Sequence, residues 1–198
     1  MKTIDIYINE KLNLSTKYTC KPKDKDELRK IIEKRLKKDK DANLNDIDVL
    51  GITDMNRLFD LLEPHDIDIS EWNVSNVTDM SRMFLGCNKF NCDLSSWDVS
   101  KVTDMNNMFA HCENFNSDLN EWDVSQTKDT TGMFYLCNKF NCDLSSWNVS
   151  KVTDMRSMFN GCKKFDCDLN DWDVSNVKNM TYMFNRCESL KNKPEWYK

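Results

Sequence analysis

Residues 93–116 read D-L-S-S-W-D-V-S-K-V-T-D-M-N-N-M-F-A-H-C-E-N-F-N, and the same sentence, lightly varied, recurs along the chain at a constant interval. Trp72, Trp97, Trp122, Trp147 and Trp172 mark that interval, as do Phe84, Phe109, Phe134, Phe159 and Phe184 and the cysteines Cys87, Cys112, Cys137, Cys162 and Cys187. A fixed period of this size marks an array of stacked units, because no single unit can bury its own apolar set. Moving the frame back by one period places Ile47, Val49, Ile52, Met55, Leu58, Phe59 and Leu62 on the apolar positions, so a sixth, degenerate unit precedes the five clear ones.

Within a unit the apolar period changes. Trp97 and Val99 alternate with polar residues, as in a short extended segment with one buried face. Met105, Met108, Phe109, Cys112 and Phe115 then fall at i, i+3, i+4, i+7 and i+10, the spacing of a helical stripe, with Thr103 and Asp104 suited to cap its start. The reading is an α/β repeat, a solenoid of about six 25-residue strand-plus-short-helix turns; whether the extended part starts at the Trp or sits at the V-T-D-M stretch stays open.

Residues 1–43 are expected to form a small α+β N-terminal cap. Ile4, Ile6 and Ile8 alternate as a strand, and 24–38 carries Leu28, Ile31, Ile32 and Leu36 on one helical face, with Asp24 and Glu27 placed for a capping box. The repeats then occupy 44–193. The tail 194–198 caps the far end, where Leu190, Pro194, Trp196 and Tyr197 leave the period.

A net charge of -5 and a pI near 5.2 argue against direct nucleic-acid binding, which calls for a basic face. No apolar run approaches the roughly 18 residues of a membrane span, and the alternating start MKTIDIYINEKLN is unlike a signal peptide, so a cytoplasmic protein is expected. Nine cysteines in that setting read as reduced thiols.

The cysteine columns hold no C-x-x-C pair, and only His65 and His111 accompany them, so buried small hydrophobes are expected rather than a metal site. Aspartates stack as Asp54, Asp79, Asp104, Asp129 and Asp154, and as Asp68, Asp93, Asp118, Asp143 and Asp168. Two acidic columns suggest calcium, yet the Gly-rich loops of such sites are missing, and turn and cap chemistry accounts for them. No unique nucleophile, base and orienting group breaks the repeat, and no phosphate loop appears, so neither catalysis nor a cofactor is expected. The unit at Leu119 departs most, with Thr127, Lys128 and Thr130 where its neighbours carry Val, Thr and Met, which suggests a bend, a contact or drift.

The motif W-[DN]-V-S-x-V-T-D-M-x-x-M-F-x-x-C-x-x-F over about 44–190 resembles the repeat of BspA-like leucine-rich-repeat proteins, in particular a branch of unknown function found in bacterial surface lipoproteins. The segments D-E-L-R-K-I-I-E-K-R and L-N-D-I-D resemble the lead-in of that family. The resemblance implies a leucine-rich-repeat-like solenoid with a role in adhesion or recognition and without catalytic residues.

The positions that vary between units are then the informative ones. Arg82, Leu85, Asn107, His111, Tyr135, Leu136, Arg156, Tyr182 and Arg186 form an outward line rich in basic and aromatic side chains, the types that dominate interface hot spots. The expected function is a monomeric, non-catalytic module binding a protein partner through its outer face. The alternatives are a surface adhesin or structural repeat protein exported by a signal outside this sequence, and an acidic inhibitor or immunity protein that blocks a nucleic-acid enzyme.

Overall fold

The stripe Met105, Met108, Phe109 and Cys112 is wholly buried, but it is not helical. In the computed structural model, which describes residues 17–198, the N–H groups of Met105, Asn107, Phe109 and His111 donate to the carbonyls of Asp129, Thr131, Met133 and Tyr135 in the next unit, at 2.7–3.0 Å. Those of Met108, Ala110 and Cys112 donate back three positions, to Met105, Asn107 and Phe109. The segment is thus a run of tandem turns whose N–H groups point alternately along the chain and across to the next unit.

The third residue of the Met105–Met108 turn and of the Phe109–Cys112 turn has a left-handed φ, as a type II turn requires: 52° at Asn107 and 63° at His111. An α-helix excludes that conformation and, beyond its first turn, consumes its N–H groups internally, leaving no alternating row of donors for the neighbouring unit. A short helix is marginal by itself, whereas tandem turns bury the same apolar stripe and add cross-unit backbone bonds. The expected strand-plus-short-helix solenoid is therefore overturned. Among the described residues the α-helix Lys25–Leu36 lies outside the repeats, and the strand element shrinks to isolated parallel bridges linking Asp54, Asp79, Asp104, Asp129, Asp154 and Asn179 in sequence. No sheet forms among the described residues. The Trp and Val of each unit sit in turns as well, with Trp97 N–H bonded to Leu94 O and Val102 N–H to Val99 O.

The core is built from columns. Phe84, Phe109, Phe134 and Phe159 stack with centroids 5.5–5.8 Å apart and planes within 7°. Phe90, Phe115, Phe140 and Phe165 form a second stack beside them, 4.0–4.2 Å from the first. Each indole Nε1–H donates to the Leu-column carbonyl of the preceding unit, as Trp122 does to Leu94 O at 3.0 Å, so burying the ring leaves no orphaned donor. Asn116, Asn141 and Asp166 donate their backbone N–H to the side-chain oxygens of Asn91, Asn116 and Asn141, a further ladder on the surface.

The departing unit leaves the stack unbroken. Thr127 Oγ1–H donates to Val102 O and Thr130 Oγ1–H to Asp154 O, so both buried hydroxyls are satisfied, and Lys128 N–H still reaches Thr103 O. The cross-unit bonds on either side of these substitutions are kept.

Helix α1, Lys25–Leu36, closes the N-terminal end with Leu28, Ile32 and Leu36 buried. Asp24 accepts from Glu27 N–H, while Glu27 accepts from Lys23 N–H rather than from the cap residue itself. Arg29 projects onto the first unit and donates to the carbonyls of Arg57, Leu58 and Asp60. The last two hold the positions of Met108 and Ala110, whose carbonyls accept from the unit before them. One guanidinium replaces a missing row of backbone donors. The strand expected around Ile4, Ile6 and Ile8 lies outside the described residues.

Asp46 ties α1 to the first unit by accepting from Arg35 and Thr19, and the Arg35 bond holds its carboxyl down to about 2 from an ordinary 3.8. Because the folded value is the lower one, this contact stabilises the fold above pH 3.8 and is lost as pH falls toward 2. Urea midpoints taken from neutral to acid pH should therefore fall less steeply in Asp46→Asn than in the parent; parallel curves would remove Asp46 from the acid response.

At the other end Leu190 keeps the register of the second Phe column instead of leaving it. Trp196 arrives one residue early, yet continues the Trp column, 6.5 Å from Trp172 with planes 5° apart and Nε1–H on Leu169 O. The tail thus adds half a turn, covering the Trp side of the last unit.

Candidate interaction face

The left-handed corners form two rows. One holds Arg57, Arg82, Asn107, Gly132, Ser157 and Tyr182, and the other Leu61, Gly86, His111, Leu136, Gly161 and Arg186, all with φ between 52° and 82°. Six of the nine residues expected on the outward line, namely Arg82, Asn107, His111, Leu136, Tyr182 and Arg186, are corners. Leu85, Tyr135 and Arg156 are the neighbours immediately before a corner. His111, Arg156, Tyr182 and Arg186 are exposed, and Arg82, Leu85, Asn107, Tyr135 and Leu136 are half-buried.

An L residue in the left-handed region costs roughly 1–2 kcal/mol, and glycine escapes the cost. Two of the three glycine corners are bare for a visible reason. A Cβ on Gly161 would collide with Leu136 Cδ2, and one on Gly132 with Asn107 Oδ1. Leu136 and Asn107 therefore lie down over the bare corner of the next unit, while His111 meets Tyr135 edge-on at 5.2 Å. Arg57 and Leu61 belong to the same rows and escape the sequence reading; Leu61 is 86% exposed. Their signal is register, since they stand one period before Arg82 and Gly86.

The other conspicuous columns are occupied by structural work. Asp93, Asp118, Asp143 and Asp168 each accept the N–H two positions on, from Ser95, Asn120, Ser145 and Asn170, as do Asp79, Asp104, Asp129 and Asp154. Among the described residues no group of three His, Cys, Asp or Glu side chains is placed to hold a metal ion. The thiols of Cys112, Cys137 and Cys162 donate to Phe84, Phe109 and Phe134 carbonyls at 2.9–3.0 Å. Burial pushes these three well above the ordinary thiol value and Cys87 to about 12, so they are not nucleophiles near neutrality. In the second column Cys92, Cys142 and Cys167 accept N–H bonds from Ile69, Leu119 and Leu144, a place that Ser117 fills for Leu94. No helix among the described residues is long and apolar enough to cross a membrane.

No curated protein and no solved structure matches the chain. The model of one family, described as Mycoplasma protein of unknown function, DUF285, matches residues 27–143 and again 122–197, taking in most of the helix and all the stacked units. These matches span more than half of the residues, and the chain belongs to that family.

Proposed function

We propose that this protein is a non-catalytic binding module that recognises a protein partner through the two corner rows and their neighbours. The observation that carries this reading is the strain held there: nine of the twelve corners keep side chains such as Arg, His, Leu and Tyr where glycine would be the less costly residue. Backbone strain retained on a repeating scaffold, and spent on exposed Arg and Tyr, fits a surface kept for contact rather than for stability. The likeness of the W-to-C motif to repeats of recognition proteins supports the same role. An intracellular setting belongs to this proposal, supported by nine free thiols among the described residues.

Two measurements test it. Arg82→Gly and His111→Gly are each expected to raise stability by about 0.5–1 kcal/mol in urea denaturation, the left-handed cost relieved less the added freedom of glycine in the unfolded chain. In affinity purification from the native cytosol, a protein retained by the parent should be lost from the Arg82→Glu, Arg156→Glu, Arg186→Glu variant. Equal retention by both, or retention of nucleic acid alone, would overturn the reading.

A further inference from the structure

The cross-unit ladder has a direction, and among the described residues its last row of donors is left without acceptors. In each of the first four clear units, the N–H groups at the positions of Met155, Ser157, Phe159 and Gly161 donate to carbonyls of the unit that follows. In the last unit the equivalent groups are Met180, Tyr182, Phe184 and Arg186, and among the described residues none of the four has a backbone or side-chain acceptor. Beside these donors the segment offers the carbonyl of Lys178, which has no donor among the described residues and whose own N–H bonds Thr153 O. The tail covers the Trp side of this unit. Val174, Val177 and Met180 are consequently half-buried, where Val149, Val152 and Met155 one unit earlier are 2%, 0% and 0% exposed.

Charge at this end also runs against the rest of the chain. Residues 178–198 carry Lys178, Arg186, Lys191, Lys193 and Lys198 against Glu188 and Glu195, in a protein of net charge -5. All five cations are exposed, and none is ion-paired among the described residues.

We propose that the open C-terminal edge binds an acidic peptide segment of a partner protein, whose backbone carbonyls accept from Met180, Tyr182, Phe184 and Arg186 while its carboxylates meet Lys178 and Arg186. The donors recur at every second residue, the spacing at which a polypeptide presents carbonyls to one side, as Asp129, Thr131, Met133 and Tyr135 do inside the stack. A polypeptide also brings N–H groups for the carbonyl of Lys178, which a phosphate backbone lacks. A second copy edge to edge would set donors against donors, and its opposite end is closed by Arg29. This edge is a surface distinct from the corner rows of the proposed function, sharing only Tyr182 and Arg186 with them.

The test begins with amide hydrogen exchange by NMR on the full chain. Met180, Tyr182 and Arg186 should exchange fast and their counterparts Met155, Ser157 and Gly161 slowly; equal protection would show the edge to be closed and overturn the proposal. A synthetic Glu-rich peptide is then titrated, with a Lys-rich peptide, oligouridylate and inorganic phosphate as comparators. The expected result is that the Glu-rich peptide alone shifts and protects these amides, and that Lys178→Glu with Arg186→Glu weakens it by roughly tenfold or more. Arg82→Gly with His111→Gly should leave this binding unchanged, which separates its failure from that of the corner face. Shifts confined to other residues, equal binding of oligouridylate or phosphate, or dimerisation through this edge in sedimentation would each overturn it.

Discussion

Trp122→Ala is expected to cost about 3–5 kcal/mol of unfolding free energy, read as a fall in the urea midpoint. The indole is 3% exposed, lies 6.3 Å from the Phe109 ring and donates to Leu94 O. Truncation removes the apolar area, leaves a void between two stacked units and strips Leu94 O of its side-chain donor. Trp122→Phe separates these effects. It keeps most of the packing and loses the hydrogen bond, so about 1–2 kcal/mol is expected. The same truncation at Trp196, half-buried at the end of the column, should cost distinctly less. A loss below about 1 kcal/mol at Trp122 would mean that the aromatic columns do not hold the units together.

Arg29→Ala is expected to cost about 2–3 kcal/mol, more than an exposed ion pair is worth. The reason lies in the carbonyls it serves. Leu58 is buried and Leu58 O accepts at 3.1 Å, while Asp60 O accepts at 2.7 Å; without the guanidinium both end a ladder with no donor. Arg29→Lys should recover only part of the loss, because a single ammonium cannot span the acceptors that a planar fork reaches. Amide exchange should localise the damage to α1 and the first unit. Full recovery by lysine would reduce the role of Arg29 to its charge, including its 3.1 Å pair with Glu33.

The period, the number of units and the buried columns are legible in the sequence because the chemistry repeats with them. The form of each unit is not. A stripe at i, i+3, i+4 and i+7 describes a helix, but tandem four-residue turns place the same Met, Met, Phe and Cys inward, so hydrophobic spacing does not discriminate between them. Glycine is the available signal. Gly86, Gly132 and Gly161 fall on two positions of the unit that are left-handed, one of them in the middle of the supposed helix. Six of the nine residues read as an outward line fall on the corners, positions that vary between units, and Arg57 and Leu61 escape notice because the first unit is degenerate. Arg29 carries no motif at all; its role depends on which carbonyls the first unit leaves bare.

The sameness of the internal junctions has a consequence for how such a chain can change. Each unit hands the next the same row of N–H donors, the same phenyl faces and the same indole acceptor, so duplicating or deleting one whole unit between α1 and the tail creates no boundary that does not already exist. Length is therefore quantised. Recombination among near-identical copies can lengthen or shorten the molecule in whole steps, while anything other than a whole step puts Trp, Phe and Cys out of line in every unit beyond it.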